Sequence, residues 1–186
     1  MGKIILGSSS PRRSDILKNM KLDFEIIPSS YVEKHDKTDF SYSFVENLAY
    51  NKALAVAKEI TYEAKVIGAD TIVVIDNKIL GKPQNYNAAL KMLNLLSGKT
   101  HFVVTSVAVV NTKDLSFKIK SDTTYVTFEK LTNEQIENYI KDYKPYDKAG
   151  AYGIQELPKG FIKNVEGAID NVIGLPSKIV AELLSN

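Results

Sequence analysis

Ile4-Ile5-Leu6-Gly7-Ser8-Ser9-Ser10-Pro11-Arg12-Arg13 is the stretch on which the chain's organisation turns. A short apolar run of strand type breaks into a glycine and three serines. Pro11 then suits the first turn of a helix, where its missing N–H is no loss, and Ser10 suits the N-cap. Ile16, Leu17 and Met20 follow at helical spacing. Arg12 and Arg13 are the anomaly, because a helix N-terminus already carries partial positive charge. A bound anion reverses that objection: backbone N–H groups, serine hydroxyls and two guanidinium forks would converge on phosphate. Taken alone, the stretch is equally compatible with a solvated serine-rich turn bearing two surface arginines.

Moving outward, 186 residues suit a single domain over 1–186, and 44% hydrophobic content is ample for a core. Net charge is only +2, from 24 basic and 22 acidic residues, so no whole-molecule footprint for nucleic acid exists and direct nucleic-acid binding is not expected. The absence of cysteine excludes disulfides and thiolate metal sites and suits a reducing compartment. No apolar run approaches the ~20 residues of a membrane span, and Lys3 is followed by no long apolar segment of signal type. A cytoplasmic protein without a membrane partner is the expectation.

Lys65–Ile75 is the most buried-looking strand, since its apolar residues do not alternate with polar ones. Asp70 interrupts it. A carboxylate there is costly unless paired, metal-bound or exposed in a cleft; a bulge in which Asp70 caps a turn is the structural alternative. Gly68 would let another group approach the backbone closely. Between the first strand and this one lie a second strand at Phe24–Ile27, an aperiodic loop over 29–42 containing Glu33, and a helix to about Ile60. Ser43 and Glu46 suggest a capping box for that helix, with Leu48, Ala55 and Val56 facing a core. Lys52 shares or borders the same face, where a snorkelling lysine is the commoner outcome.

Beyond Ile75 a turn at Asp76-Asn77 leads to Lys78–Leu80, and Lys82 is then fixed between Gly81 and Pro83. A helix is expected over about Asn87–Leu96, then a long strand pair at His101–Val110 and Ser116–Glu129, with His101 in a structural role. Thr132 and Gln135 form a second capping-box pattern. A Gly-punctuated segment from Asp147 to Gln155, ending in a short strand, precedes a strand at Phe161–Val165 and a last amphipathic helix. Helices alternating with strands, then a long hairpin, argue for a mixed α/β sheet.

Charge therefore gathers at Ser8–Arg13, Glu33, Lys52 with Asp70, and Lys82, where local structure does not ask for it. Two carboxylates with four cations suit a polyphosphate accompanied by a divalent metal.

Five segments in order, Ser8–Arg13, Gly68-Ala69-Asp70-Thr71, Gly81-Lys82-Pro83, Asp147-Lys148-Ala149-Gly150 and Asn171–Pro176, resemble the successive motifs of the Maf family over nearly the whole length. The resemblance implies an α/β fold of the Maf/ITPase-like kind, with a mixed curved sheet, flanking helices and two lobes around a central cleft. It implies a cytoplasmic nucleoside triphosphate pyrophosphatase that releases a nucleoside monophosphate and pyrophosphate, assisted by Mg²⁺ or Mn²⁺. Asp70 becomes the general base and shares the metal with Glu33. Arg13, Lys52 and Lys82 hold the triphosphate in a cradle lined by Ser8 and Ser10, and Arg12, Thr71 and Gln155 match positions linked to choice of base. The family commonly carries glycine after that glutamine; here Glu156 stands there. Neutral Gln155 points to dTTP and UTP, because one amide can donate to O4 and accept from N3–H; guanine's O6 and N1–H present the same pair, so pocket size has to exclude it. Two other readings stay open: a 7-methyl-GTP pyrophosphatase, whose branch carries glutamate at this position, and a non-catalytic nucleotide-sensing regulator. The family was named for an effect on septum formation, and its members are often dimers, which leaves a homodimer open.

Overall fold

The computed structural model describes residues 2–32 and 39–185. Its strands are β1 (Lys3–Leu6), β2 (Glu25–Ile26), β3 (Ala64–Ile75), β4 (Lys78–Leu80), β5 (Thr100–Asn111), β6 (Phe117–Phe128) and β7 (Ile162–Glu166). The helices are α1 (Pro11–Asn19), α2 (Tyr42–Glu59), α3 (Tyr86–Leu96), α4 (Asn133–Tyr143), α5 (Ile169–Ile173) and α6 (Ser177–Ser185). Among the described residues the strands make one seven-stranded mixed sheet, ordered β2-β1-β3-β5-β6-β7 with β4 also on β3. Only β1 pairs in parallel, with β2 and β3; the other ladders are antiparallel. The expected α/β class and the long hairpin are both present. No helix among the described residues is long and apolar enough to cross a membrane.

β3 is covered on both faces, as its unbroken apolar run requires. Val66 packs with Ala49, Ala53 and Val56 of α2, while Ile67 and Ala69 pack with Leu17 of α1 and Val180 of α6. Successive side chains of a strand point to opposite faces, so Asp70 falls on the α2 side and Thr71 on the α1 side. Asp70 is no bulge: it pairs in continuous register with Ser106.

Gly68 does admit a close approach, and the visitor is α2 itself. A Cβ built there would lie 2.3 Å from the Ala49 carbonyl oxygen and 2.6 Å from the Ala53 nitrogen. Helix backbone cannot yield as a side-chain tip can, so Gly68→Ala should cost about 1–3 kcal/mol or more of stability. Urea unfolding measures this; an unchanged midpoint and slope would show that α2 can lift from the sheet without loss.

Three local expectations need correction. The N-cap of α2 is Ser41, whose hydroxyl accepts from the Phe44 N–H, so Ser43 and Glu46 form no capping box; Glu46 instead accepts from Ser121. The start lies two residues earlier because an apolar anchor at Phe40 packs against the sheet beneath it. On α2 the inward residues are Val45, Leu48, Ala49, Ala53, Val56 and Ala57, with Ala55 only half-buried. Finally, the segment after Asp147 forms two single 3-10 turns, Ala149–Ala151 and Ile154–Glu156, rather than a short strand. Gly150 has φ +66°, and its N–H is taken by the Gly81 carbonyl, which pulls the backbone out of the extended path. The Thr132–Gln135 capping box forms as expected.

His101 is buried between Phe128 and Tyr152, with Nε2 2.6 Å from the Tyr152 hydroxyl. Burial lowers its pKa to about 4, whereas an unfolded histidine titrates near 6.5. Between those values the unfolded chain binds a proton that the folded chain refuses, so stability falls as pH drops from 6.5 to 4. The loss is of order 3 kcal/mol. Thermal unfolding at pH 4.5 and 7 should show a larger acid shift for the wild type than for His101→Gln; equal shifts would place the acid sensitivity elsewhere.

Candidate active site

β5 lines one edge of β3 from Lys65 to Val74. On the other edge β1 covers Ala64–Ile67 and β4 covers Val73–Ile75, so among the described residues Gly68–Ile72 has no strand neighbour there. A cleft of about 810 Å³ opens at this gap, between the Gly7–Arg13 turn and the loop after β4.

Nine of the ten residues singled out by sequence line this cleft: Ser8, Ser10, Arg12, Arg13, Lys52, Asp70, Thr71, Lys82 and Gln155. The tenth, Glu33, lies outside the described residues.

Asp70 projects toward α2, is only 6% exposed, and accepts a 2.5 Å hydrogen bond at Oδ1 from the Lys52 ammonium. The cost of burying each charge is thus offset by the other. Lys52 does not snorkel: its side chain is 13% exposed and turns inward from α2 to the cleft floor.

Thr71, on the opposite face, belongs to a second network. Arg13 reaches it from the first turn of α1, with Nη2 3.3 Å from Thr71 Oγ1, Nη1 3.2 Å from Ser8 Oγ, and Nε 2.9 Å from the Gly174 carbonyl. Thr71 Oγ1 lies 2.9 Å from Thr105 Oγ1. The fully buried Asn171 holds Thr105 in turn, accepting from its N–H at 3.1 Å and donating to the Val103 carbonyl at 3.0 Å. A charged fork is thereby fixed in place at a helix start.

Ser10 is the N-cap of α1, but its side chain makes no capping hydrogen bond. A cap left undone at a helix start leaves N–H groups pointing outward, suited to an anion. Lys82 sits exposed at the rim above buried Pro83, on the loop that Gly81 ties to Gly150. Gln155 is exposed on the turn facing the cleft.

Two further residues of the Asp147–Gly150 motif, to which the sequence assigns no role, line the cleft: Asp147 and Lys148. Arg12 donates to Asp147 at 3.2 Å, and the buried Lys148 donates to Asp147 at 2.8 Å and lies 3.1 Å from Glu156. Burial works to raise the Asp147 pKa, but these two cations outweigh it and hold the carboxyl below its usual range. The available signal was a charged pair beside Ala149-Gly150, where the chain is otherwise becoming small and apolar.

No cluster of three or more carboxylate or imidazole groups forms among the described residues. Among the described residues the donor set is one buried carboxylate, Asp70, beside a cationic cradle, and this fits a hard cation that takes most of its oxygens from phosphate and water.

A model of the Maf-like protein family matches residues 3–186. The chain belongs to the Maf family. Relatives of this Maf protein include one from Clostridium novyi named dTTP/UTP pyrophosphatase, 46% identical over 175 residues, covering 94% of this chain and 92% of the relative. Another of that name, from Thermoanaerobacter sp. strain X514, is 44% identical over 182 residues, covering 98% and 95%. Among solved structures, a HAM1 protein from Coxiella burnetii aligns over 100% of the Maf chain and 99% of its own at TM-score 0.55 and 16% identity, a likeness of fold.

Proposed function

We propose that this Maf protein is a cytoplasmic nucleoside triphosphate pyrophosphatase that hydrolyses dTTP and UTP to the monophosphate and pyrophosphate, with residues 1–186 acting as one unit. The observation that carries the reading is a buried carboxylate, Asp70, lining the same cleft as Arg13, Lys52 and Lys82. A nucleotide sensor gains nothing from a carboxylate next to phosphate, where like charges repel, whereas hydrolysis needs a group to take a proton from water. The names of the relatives support the same reaction class.

Water adds across the α–β anhydride as Asp70 accepts its proton. Lys52 has three N–H donors, so it can hold Asp70 and a phosphate oxygen together. Arg13 and Lys82, which line the same cleft, neutralise the oxygens, and the α1 N-terminus with Ser8 and Ser10 completes the cradle. Positioning and charge neutralisation carry most of the catalysis in such reactions. Mg²⁺ or Mn²⁺, when bound, would polarise the phosphates; Asp70 is the residue that would hold it, joined by Glu33.

Base choice falls to Gln155, with Arg12 and Thr71 shaping the site. Glu156, the residue that could give a 7-methyl-GTP pocket, lies against Lys148, which favours the pyrimidine reading. A nucleotide panel assayed for pyrophosphate with and without EDTA tests both parts. dTTP and UTP should lead in kcat/KM and chelation should stop turnover; a lead for 7-methyl-GTP would overturn the base assignment. Gln155→Glu should lower kcat/KM for dTTP and UTP about tenfold or more, since a carboxylate repels O4.

A further inference from the structure

The turn that carries Gln155 places a carboxylate immediately beside it, and a cationic base would attract that carboxylate. Glu156 is nonetheless held. Lys148 Nζ lies 3.1 Å from its Oε2 and 2.8 Å from Asp147 Oδ1, and Asp147 in turn takes Arg12. The chain Arg12–Asp147–Lys148–Glu156 alternates in sign along the cleft wall and sums to no net charge. Its members differ in freedom: the Lys148 side chain is 9% exposed, whereas that of Glu156 is 37% exposed.

The lysine is also boxed from beneath. A Cβ built on Gly153 would lie 2.8 Å from Lys148 Cε and 3.0 Å from Cδ, so the lysine stem rests on the glycine and would have to move aside for one carbon more. Gly153 has φ −116° and ψ 120°, which any residue adopts, so the glycine is needed for space and not for conformation.

We propose that Lys148 is a positioning residue for base choice, seated on Gly153 and holding the Glu156 carboxylate away from the base so that the pocket presents the neutral amide of Gln155. The inference rests on the pyrophosphatase reading and deepens it: this chain tolerates a glutamate after the glutamine because a buried lysine neutralises it. Without the lysine, Glu156 has enough exposure to swing free beside Gln155, and the site should turn toward a base carrying positive charge.

Two variants reach the same device by different routes. Lys148→Met keeps the stem and removes the charge; Gly153→Ala keeps the charge and displaces the stem. Each should lower the kcat/KM ratio of UTP over 7-methyl-GTP by about tenfold, chiefly through KM. Adding Glu156→Gln to Lys148→Met should return the ratio toward the wild-type value, a rescue that a merely structural lysine would not show. Binding of UMP and 7-methyl-GMP by calorimetry reads the same ratio without turnover. Ratios within twofold of wild type for Lys148→Met and Gly153→Ala, in folded protein, would overturn the proposal, as would a shift that Glu156→Gln fails to reverse. Wild-type protein that binds both monophosphates but releases no pyrophosphate from any nucleotide would overturn the pyrophosphatase reading instead, while the shift in binding ratio still decides the role of Lys148.

Discussion

Asp70→Asn is expected to lower pyrophosphate release by about 10²–10⁴-fold while leaving the fold in place. The amide is close in size to the carboxylate, and its oxygen can still accept from Lys52, so the buried ammonium keeps this contact. What the amide lacks is basicity, and it is a poor ligand for a hard cation. The variant's melting temperature should therefore stay near the wild type's while kcat collapses. A folded Asp70→Asn protein with near-wild-type kcat would make the Asp70–Lys52 pair a structural feature of β3 and α2, and the general base would have to be sought elsewhere.

The second large effect is expected from two cations that line the cleft on different elements, Arg13 on α1 and Lys82 on the loop after β4. Removing one charge-assisted phosphate contact costs roughly 1.5–3 kcal/mol, so Arg13→Ala and Lys82→Ala should each lower kcat/KM by about 10- to 150-fold. They should differ in what else they disturb. Arg13 also binds Ser8, Thr71 and the Gly174 carbonyl, tying α1 to β3 and to the turn before α6, so its loss should lower the melting temperature as well. Lys82 stands exposed on its loop, and its loss should leave stability nearly unchanged. Unaltered kinetic constants for both variants on UTP would remove them from the phosphate cradle.

Much of this arrangement could be read from sequence where a residue violates its local setting. Asp70 within an apolar strand, arginines at a helix start and a lysine between glycine and proline are such violations, and β3, α1 and the β4 loop bring all of them to one cleft. What sequence could not supply is the gap itself. It exists because β1 stops at Leu6 and β4 begins pairing only at Val73, a consequence of strand register that no local pattern encodes. The Ser43–Glu46 pattern failed for a related reason: two serines competed for one cap, and packing of Phe40 beneath the helix start chose Ser41. Gly68 was correctly marked as a point of close approach, but sequence could not say that a helix rather than a ligand would come near. Lys148 passed without a role because its meaning depends on Gly153 beneath it and Glu156 beside it, a juxtaposition made by two 3-10 turns.

The most direct test of the central claim is the identity of the products. Purified wild-type protein incubated with UTP and Mg²⁺, followed by ³¹P NMR, should yield UMP and pyrophosphate in equal amounts, with both signals lost in Asp70→Asn. UDP with inorganic phosphate, or intact UTP after prolonged incubation, would contradict it.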